Sequence, residues 1–361
     1  MRKKLIALAV ASLISAPVFA QSTVSVYGVV DQAVDSGNYG GTIGSVTRLT
    51  SSGYSTERLG FKGSEDLGNG MKANFVLEMG MASDVGKLDN TNNQLFQRQS
   101  FVGLSGNWGS VNFGRQYTPV FSIQAANDIF NIAGIGSAYS LTNSGMTRAN
   151  NAIRYDSATI NGFSGAAMYS MGDAGNANNN QENIVAANPK DQGRHTGLNL
   201  RYANGPLAIG LGWANQKNTG VVAPATVVAT KTTALIGSYD FKVVAINAGW
   251  QTSKNDASPV TFDNRIWTLG ATVPVFGNDS VKVSYNSLKD KLASNDDSKL
   301  LSLGYVHRMS KRTTIYGTWA KMTNDSGAAR VLGAGLLGGA PGTGALGYDP
   351  SSVQVGVSHN F

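Results

Sequence analysis

Apolar and polar residues alternate along most of this chain. Val24, Val26 and Val30 interleave with Ser25, Tyr27 and Asp31, and Ala73, Phe75, Leu77, Met79 and Met81 with Lys72, Asn74, Val76, Glu78 and Gly80. Leu198, Leu200 and Tyr202 alternate with Asn199 and Arg201, Val281, Val283 and Tyr285 with Lys282, Ser284 and Asn286, and Val353, Val355 and Val357 with Gln354, Gly356 and Ser358. Successive side chains of a strand point to opposite faces, so each segment predicts a strand with one apolar and one polar face. The three- and four-residue spacing of an amphipathic helix is missing from these stretches.

Two kinds of connection separate the strands. Tight turns are signalled at Asn69-Gly70, Asn161-Gly162, Asn204-Gly205-Pro206, Gly277-Asn278-Asp279 and Ser310-Lys311-Arg312. Long polar connections cover 35–55, 117–148, 173–193 and 323–351. Sixteen strands fit between them, starting near residues 24, 56, 70, 94, 109, 149, 163, 194, 207, 231, 243, 264, 279, 298, 313 and 352. An even number of strands, with short turns at one end and long loops at the other, predicts an all-β, 16-stranded antiparallel transmembrane barrel. A soluble sandwich would share the alternation, but it accounts neither for so many hairpins nor for the aromatics. Tyr202, Trp213, Tyr239, Phe241, Trp250, Trp267, Tyr285, Tyr305 and Trp319 all fall on the apolar parity, where amphipathic rings form the girdles of a membrane barrel.

The N-terminus has a different character. Met1-Arg2-Lys3-Lys4, the apolar run Leu5–Ile14, and Val18 and Ala20 at the small-residue positions form a secretory leader over residues 1–20. The mature chain, 21–361, carries 26 basic and 22 acidic residues, so a net charge of +7 falls to +4. No cluster of Lys or Arg remains to support nucleic-acid binding. Cysteine is absent, which excludes disulfide scaffolds, thiolate metal sites and cysteine nucleophiles. Charged residues make up only 14% of the chain, consistent with a lipid-facing half on every strand.

Particular blocks add a resemblance. They are Val26-Tyr27-Gly28-Val29-Val30-Asp31, the run from Ser55 to Ala73 containing Arg58-Leu59-Gly60-Phe61-Lys62-Gly63-Ser64-Glu65-Asp66-Leu67-Gly68, and Phe101-Val102-Gly103-Leu104. Gly109-Ser110-Val111-Asn112-Phe113-Gly114-Arg115 and the terminal Ser358-His359-Asn360-Phe361 complete the set. Over its whole mature length the chain resembles the Gram-negative general diffusion porins, of the trimeric β-proteobacterial type. That resemblance implies an outer-membrane homotrimer, among lipids and lipopolysaccharide, through which small hydrophilic solutes diffuse. It also implies that Phe361 is the signal read by the outer-membrane assembly machinery. Independently, the last strand must pair with the first, because a barrel cannot leave an edge open.

Lumen chemistry follows from parity. Arg58 and Lys62 oppose Leu59 and Phe61, Arg154 opposes Ile153 and Tyr155, and Arg98 opposes Phe101, which is taken as outward. All four are expected in the pore wall, where similar porins carry a basic cluster, and clustered cations in a narrow passage favour anions. Arg115 shares parity with Val111 and Phe113. An outward arginine is costly against lipid, so by analogy it belongs to the trimer interface. The connection 117–148 carries Phe121, Ile123, Ile129 and Phe130, too apolar for a solvated loop. In similar porins it folds inward as a constriction loop, its carboxylates facing the arginines. Here it offers Asp128 and Arg148 alone, so the expected anion preference is weak to moderate.

Other chemistry finds little support. Gly333-Ala334-Gly335-Leu336-Leu337-Gly338 matches a dinucleotide fingerprint in letters but lacks its strand-to-helix setting. His195, His307 and His359 are scattered, without metal or triad spacing. Asp296-Asp297 reads as a solvated loop before a divalent-cation site, and Asn176–Asn180 as a surface loop. No catalytic residue, cofactor or metal is expected. The alternatives are a substrate-specific channel and, further off, an outer-membrane enzyme or an adhesive barrel.

Overall fold

The alternation is realised as a single closed sheet. The computed structural model describes residues 23–40, 43–89, 94–142, 147–172, 192–219, 227–333 and 344–361; the leader and the Asn176–Asn180 segment lie outside these, as does most of the glycine-rich run after Gly333. Its strands are β1 (Thr23–Asn38), β2 (Ser45–Ser51), β3 (Arg58–Gly68), β4 (Met71–Ala82), β5 (Lys87–Leu88), β6 (Gln99–Gly106), β7 (Gly109–Tyr117), β8 (Arg148–Ser157) and β9 (Phe163–Ser170). They continue with β10 (His195–Asn204), β11 (Leu207–Thr219), β12 (Val227–Asp240), β13 (Ala245–Asn255), β14 (Asp263–Pro274), β15 (Ser280–Asp290), β16 (Ser298–Arg308), β17 (Thr313–Asn324) and β18 (Ser351–Asn360). All pairings are antiparallel, and β1 meets β18 from Val29 opposite Asn360 to Asn38 opposite Ser351. The edge is closed, as an unpaired backbone in lipid would demand.

Eighteen segments make sixteen staves. β5 is a two-residue appendage to β4. β2 and β3 are two halves of one interrupted strand, the first beside the upper part of β1 and the second beside its lower part. The connection 35–55, expected as a free loop, is therefore mostly strand: β1 runs on to Asn38 and β2 returns beside it. A buried carboxylate holds the break between β2 and β3. Asp31 accepts the backbone N–H groups of Gly53 (3.1 Å), Tyr54 (3.1 Å) and Ser55 (2.7 Å) and the hydroxyl of Tyr316 (2.6 Å). Glu57 in turn accepts the N–H of Asp31 at 2.7 Å. These bonds give the unladdered backbone the partners that a straight strand would have found in its neighbour.

The outward parity is apolar and open. Val24, Val102, Leu235, Leu269 and Val355 are exposed, and Trp267 remains 57% accessible. In water such a continuous belt would be a liability; in a bilayer it faces its own solvent. Glycine serves the closure at one point. The Phe361 ring lies over Gly28, where a Cβ would come within 2.3 Å of it, and the two residues exchange backbone hydrogen bonds of 3.1 and 3.2 Å.

The connection between β7 and β8 packs against the inner wall. Thr118 caps helix α1 (Pro119–Asn127) by accepting the N–H of Phe121 at 3.3 Å, and Pro119 suits the first turn. Val120 and Ile123, one helical turn apart, bury fully against Ala214 and Ala234 of β11 and β12. Gly212 beneath them leaves the room, since a Cβ there would meet Ile123 at 2.8 Å. After α1, Ile135 and Leu141, the latter in a short helix α2 (Tyr139–Thr142), pack with Ile266, Leu288, Leu300 and Met322 of β14–β17. Those four wall positions share the inward parity yet are apolar, because the connection covers them.

Candidate functional site: a basic channel wall

β3 and β4 place the first groups. Inward from β3 come Arg58 and Lys62; from β4 comes Glu78, opposite Gly60. Tyr27 of β1 donates its hydroxyl to Glu78 at 2.9 Å, and the Lys62 ammonium stands 5.1 Å from the centre of the Tyr27 ring. Arg98 reaches the same carboxylate with Nε at 2.7 Å, both side chains being almost fully buried. A buried pair of this kind stays ionised only because each charge is answered at short range.

Arg98 arrives by a route that parity does not describe. Val102 and Leu104 are the exposed, outward residues of β6, so Phe101 faces inward, opposite Val76 and Gly114. Strict alternation would then turn Arg98 outward. Instead its N–H donates to the carbonyl of Glu78 (3.1 Å), although Glu78 already stands opposite Gln99. Two residues against one is a bulge-like irregularity, and it re-aims the side chain into the lumen. Phe101, taken as outward in the sequence, thus lies on the inward face, and the aim of Arg98 comes from the irregularity, not from strict alternation.

Tyr117 ties the remaining cations together. Its hydroxyl accepts from Arg98 at 2.7 Å and from Arg148 at 3.1 Å, and the Arg148 guanidinium sits 4.6 Å above its ring. Tyr117 also stacks on Phe121 of α1 at 4.9 Å. Arg58, Arg98 and Arg148, with Tyr117, Phe121 and Asp89, line a cavity of about 290 Å³. Three guanidiniums face one carboxylate there. Burial raises the Asp89 carboxyl above its ordinary pKa, and Arg98 and Arg148 offset part of that rise.

Arg154 and Asp128 stand apart from this group. Arg154 is inward as expected, but it is engaged by Asp156 (2.6 and 2.9 Å) and by the carbonyl of Tyr117 (2.6 Å) and hydroxyl of Ser122 (3.1 Å). It fastens the start of α1 to β8. Asp128 does not face the arginines. Its carboxylate accepts the N–H of Phe130 at 2.9 Å and the hydroxyl of Ser137, and burial raises its pKa. Lys282 of β15, unmarked in the sequence except by its inward parity, donates to the carbonyl of Ile129 at 2.6 Å. Glu78 and Lys282 are thus site residues that alternation alone could have flagged as buried charges. Arg115 points outward and donates to the Gln97 carbonyl at 2.5 Å and to the Asn150 side chain. Asp296 and Asp297 are held by Arg330 (2.6 Å) and Lys289 (2.8 Å).

Comparison with known proteins agrees with the barrel. Residues 7–327 match the Gram-negative porin family. The chain is a Gram-negative porin. It is similar to outer membrane porin protein 32 of Delftia acidovorans, 36% identical with both chains covered completely. Against the major outer membrane protein P.IB of Neisseria gonorrhoeae the porin is 30% identical over 92% of this chain and 97% of the other. Among solved structures, an anion-selective porin from Comamonas acidovorans superposes with a TM-score of 0.82 at 32% identity, covering 94% of this chain and all of that one. The porin is accordingly an outer-membrane β-barrel.

Proposed function

We propose that this porin is a passive diffusion channel for small hydrophilic solutes and ions, with a weak to moderate preference for anions. The observation that carries the reading is the cavity where Arg58, Arg98 and Arg148 converge against Asp89. In a narrow, low-dielectric passage an excess of fixed positive charge lowers the cost of an anion and raises that of a cation. Glu78, held by Arg98 and Tyr27, moderates the field, which is why the preference is modest. The porin of similar fold from Comamonas acidovorans is described as anion-selective.

The connection 117–148 is the constriction in this reading, with Tyr117 and Phe121 as its lumen-side surface, Lys62 leading toward it, and Arg154 and Lys282 as its fasteners. Residues 1–20 are a leader removed on export, three copies form the working unit with Arg115 near their contact, and Phe361 is the assembly signal. Reversal potential in a salt gradient across a planar bilayer tests the central claim. A potential of the sign set by anions is expected, and clear cation selectivity would overturn it.

A further inference from the structure

One buried titratable side chain has no part in the channel wall described above. His195, the first residue of β10, is 1% exposed, and neither ring nitrogen has a hydrogen-bond partner among the described residues. Buried polar groups are almost always paired, so an imidazole left bare at both nitrogens calls for a reason. Inward parity puts it on the lumen side of the wall, in line with Gly197 and Asn199. A Cβ on Gly197 would lie 2.7 Å from the His195 Nε2 and 3.4 Å from Cδ of Pro119. The imidazole and the pyrrolidine ring therefore lean over the same glycine. Two residues beyond it, Asn199 donates to the Pro119 carbonyl at 2.7 Å. β10 thus meets the first turn of α1 with one hydrogen bond and one unpaired ring.

The surroundings suit only the neutral ring. From β9, Ser170 stands opposite His195 and Met168 opposite Gly197; from β11, Gln216 and Ala214 do the same. α1 brings Pro119 and, in one packed cluster with Ala214, Val120. None of these carries a charge. The Ser170 hydroxyl is already engaged with the Asn150 carbonyl at 2.6 Å. Arg194 and Lys217, next in sequence to His195 and Gln216, have the opposite, outward parity. The charge that does reach this corner is positive. Arg154 of β8, opposite Met168, donates to the Tyr117 carbonyl and the Ser122 hydroxyl at the start of α1, with Asp156 as its own partner. The first turn of α1 adds the positive end of the helix dipole. A proton on His195 creates a buried cation with like charge nearby and no carboxylate to answer it. Such a group is relieved only by water or by movement of what covers it.

We propose that His195 is a positioning residue for the constriction: its neutral ring seats the first turn of α1 on the wall, and protonation lifts that turn into the lumen and narrows the passage. The proposal rests on reading the connection 117–148 as the constriction, and it concerns conductance where the arginine cavity concerns selectivity. Single-channel conductance in a planar bilayer, recorded from neutral to acidic pH and expressed relative to each channel's own neutral value, tests it. Wild type should fall to about half or less on acidification, in a discrete step. His195→Gln, which keeps a neutral polar side chain throughout, should lose that step. A second variant leaves His195 in place. Val120→Cys with Ala214→Cys, two positions of one packed cluster, staples α1 to β11 in a chain that has no other cysteine. The step should vanish when this pair is oxidised and return when it is reduced. Asp89→Asn should keep the step, although it alters the response of the reversal potential. Absence of the step in wild type, or its full persistence in His195→Gln or in the oxidised staple, would overturn the proposal. A cation-selective reversal potential would overturn the anion reading alone, because the acid step is measured without a salt gradient.

Discussion

Arg98 illustrates how one side chain can set both structure and selectivity. It is nearly fully buried, bonded to Glu78 and Tyr117, and it lines the cavity with Arg58 and Arg148. Arg98→Ala removes one of three convergent cations, a loss of one unit of positive charge inside the cavity, and leaves the Glu78 carboxylate with the Tyr27 hydroxyl but without its ion pair. Its reversal potential should shift toward cations by a larger margin than that of Lys62→Ala, whereas Arg312→Ala in a short turn should leave it unchanged. Asp89 supplies the opposite handle. Because burial raises its pKa, it takes up a proton at a higher pH than the ordinary value of about 3.9. Acidification then removes a negative charge from the cavity, and anion preference should rise as the medium is made more acidic. Asp89→Asn is expected to start at a more anion-selective potential and to respond less to pH; a response as large as wild type would exclude Asp89 as the titrating group.

The connection between β7 and β8 is held to the inner wall by apolar packing more than by charge. Ile123→Ala empties a fully buried site between α1 and β11, a change that costs about 2–5 kcal/mol in well-packed cores, and Val120→Ala beside it adds to the loss. The expected outcome is a barrel that still folds but whose channel shows higher open-state noise and altered conductance, measured on single channels. Strand starts were readable from alternation to within a few residues, because lipid on one side and water on the other enforce period two. β2 was not, because Ser45–Ser51 reads Ser-Val-Thr-Arg-Leu-Thr-Ser, which is polar enough to pass for loop. Its pairing with β1 is fixed by Asp31 and Glu57, contacts made far away in sequence. Arg98 was placed through a wrong parity for Phe101, since a bulge leaves no trace in spacing. Asp128 belongs to the constriction loop by its position in the 117–148 connection and the resemblance to similar porins, yet its carboxylate is taken up by Phe130 and Ser137. Ile266, Leu288 and Leu300 interrupt the polar inward face because α2 and its flanks cover them.

Closure joins the two ends of the chain, and the residue proposed as the assembly signal lies at the seam. Phe361 exchanges backbone bonds with Gly28 and lays its ring over it. Either the ring matters because it finishes the seam, or because the extended chain is recognised by it before any seam exists. Gly28→Val tells these apart, since the added side chain displaces the ring, and presses on the Arg58 carbonyl beside it, while leaving the terminal sequence intact. If Phe361 is an assembly signal, Phe361→Ala should lower the amount of barrel reaching the outer membrane while the purified chain still refolds in detergent. Gly28→Val should then reach the membrane normally and lose only thermal stability, seen as a lower temperature of heat-modifiable migration. Equal assembly defects in both variants, matched by equal refolding defects, would assign the residue to the seam alone. The seam is the costliest place for such a defect. Each of the other fifteen strand pairs is joined by a connection of the chain itself, whereas β1 and β18 are brought together only by the contacts they make, and an open edge there would leave a ladder of backbone groups unpaired in lipid.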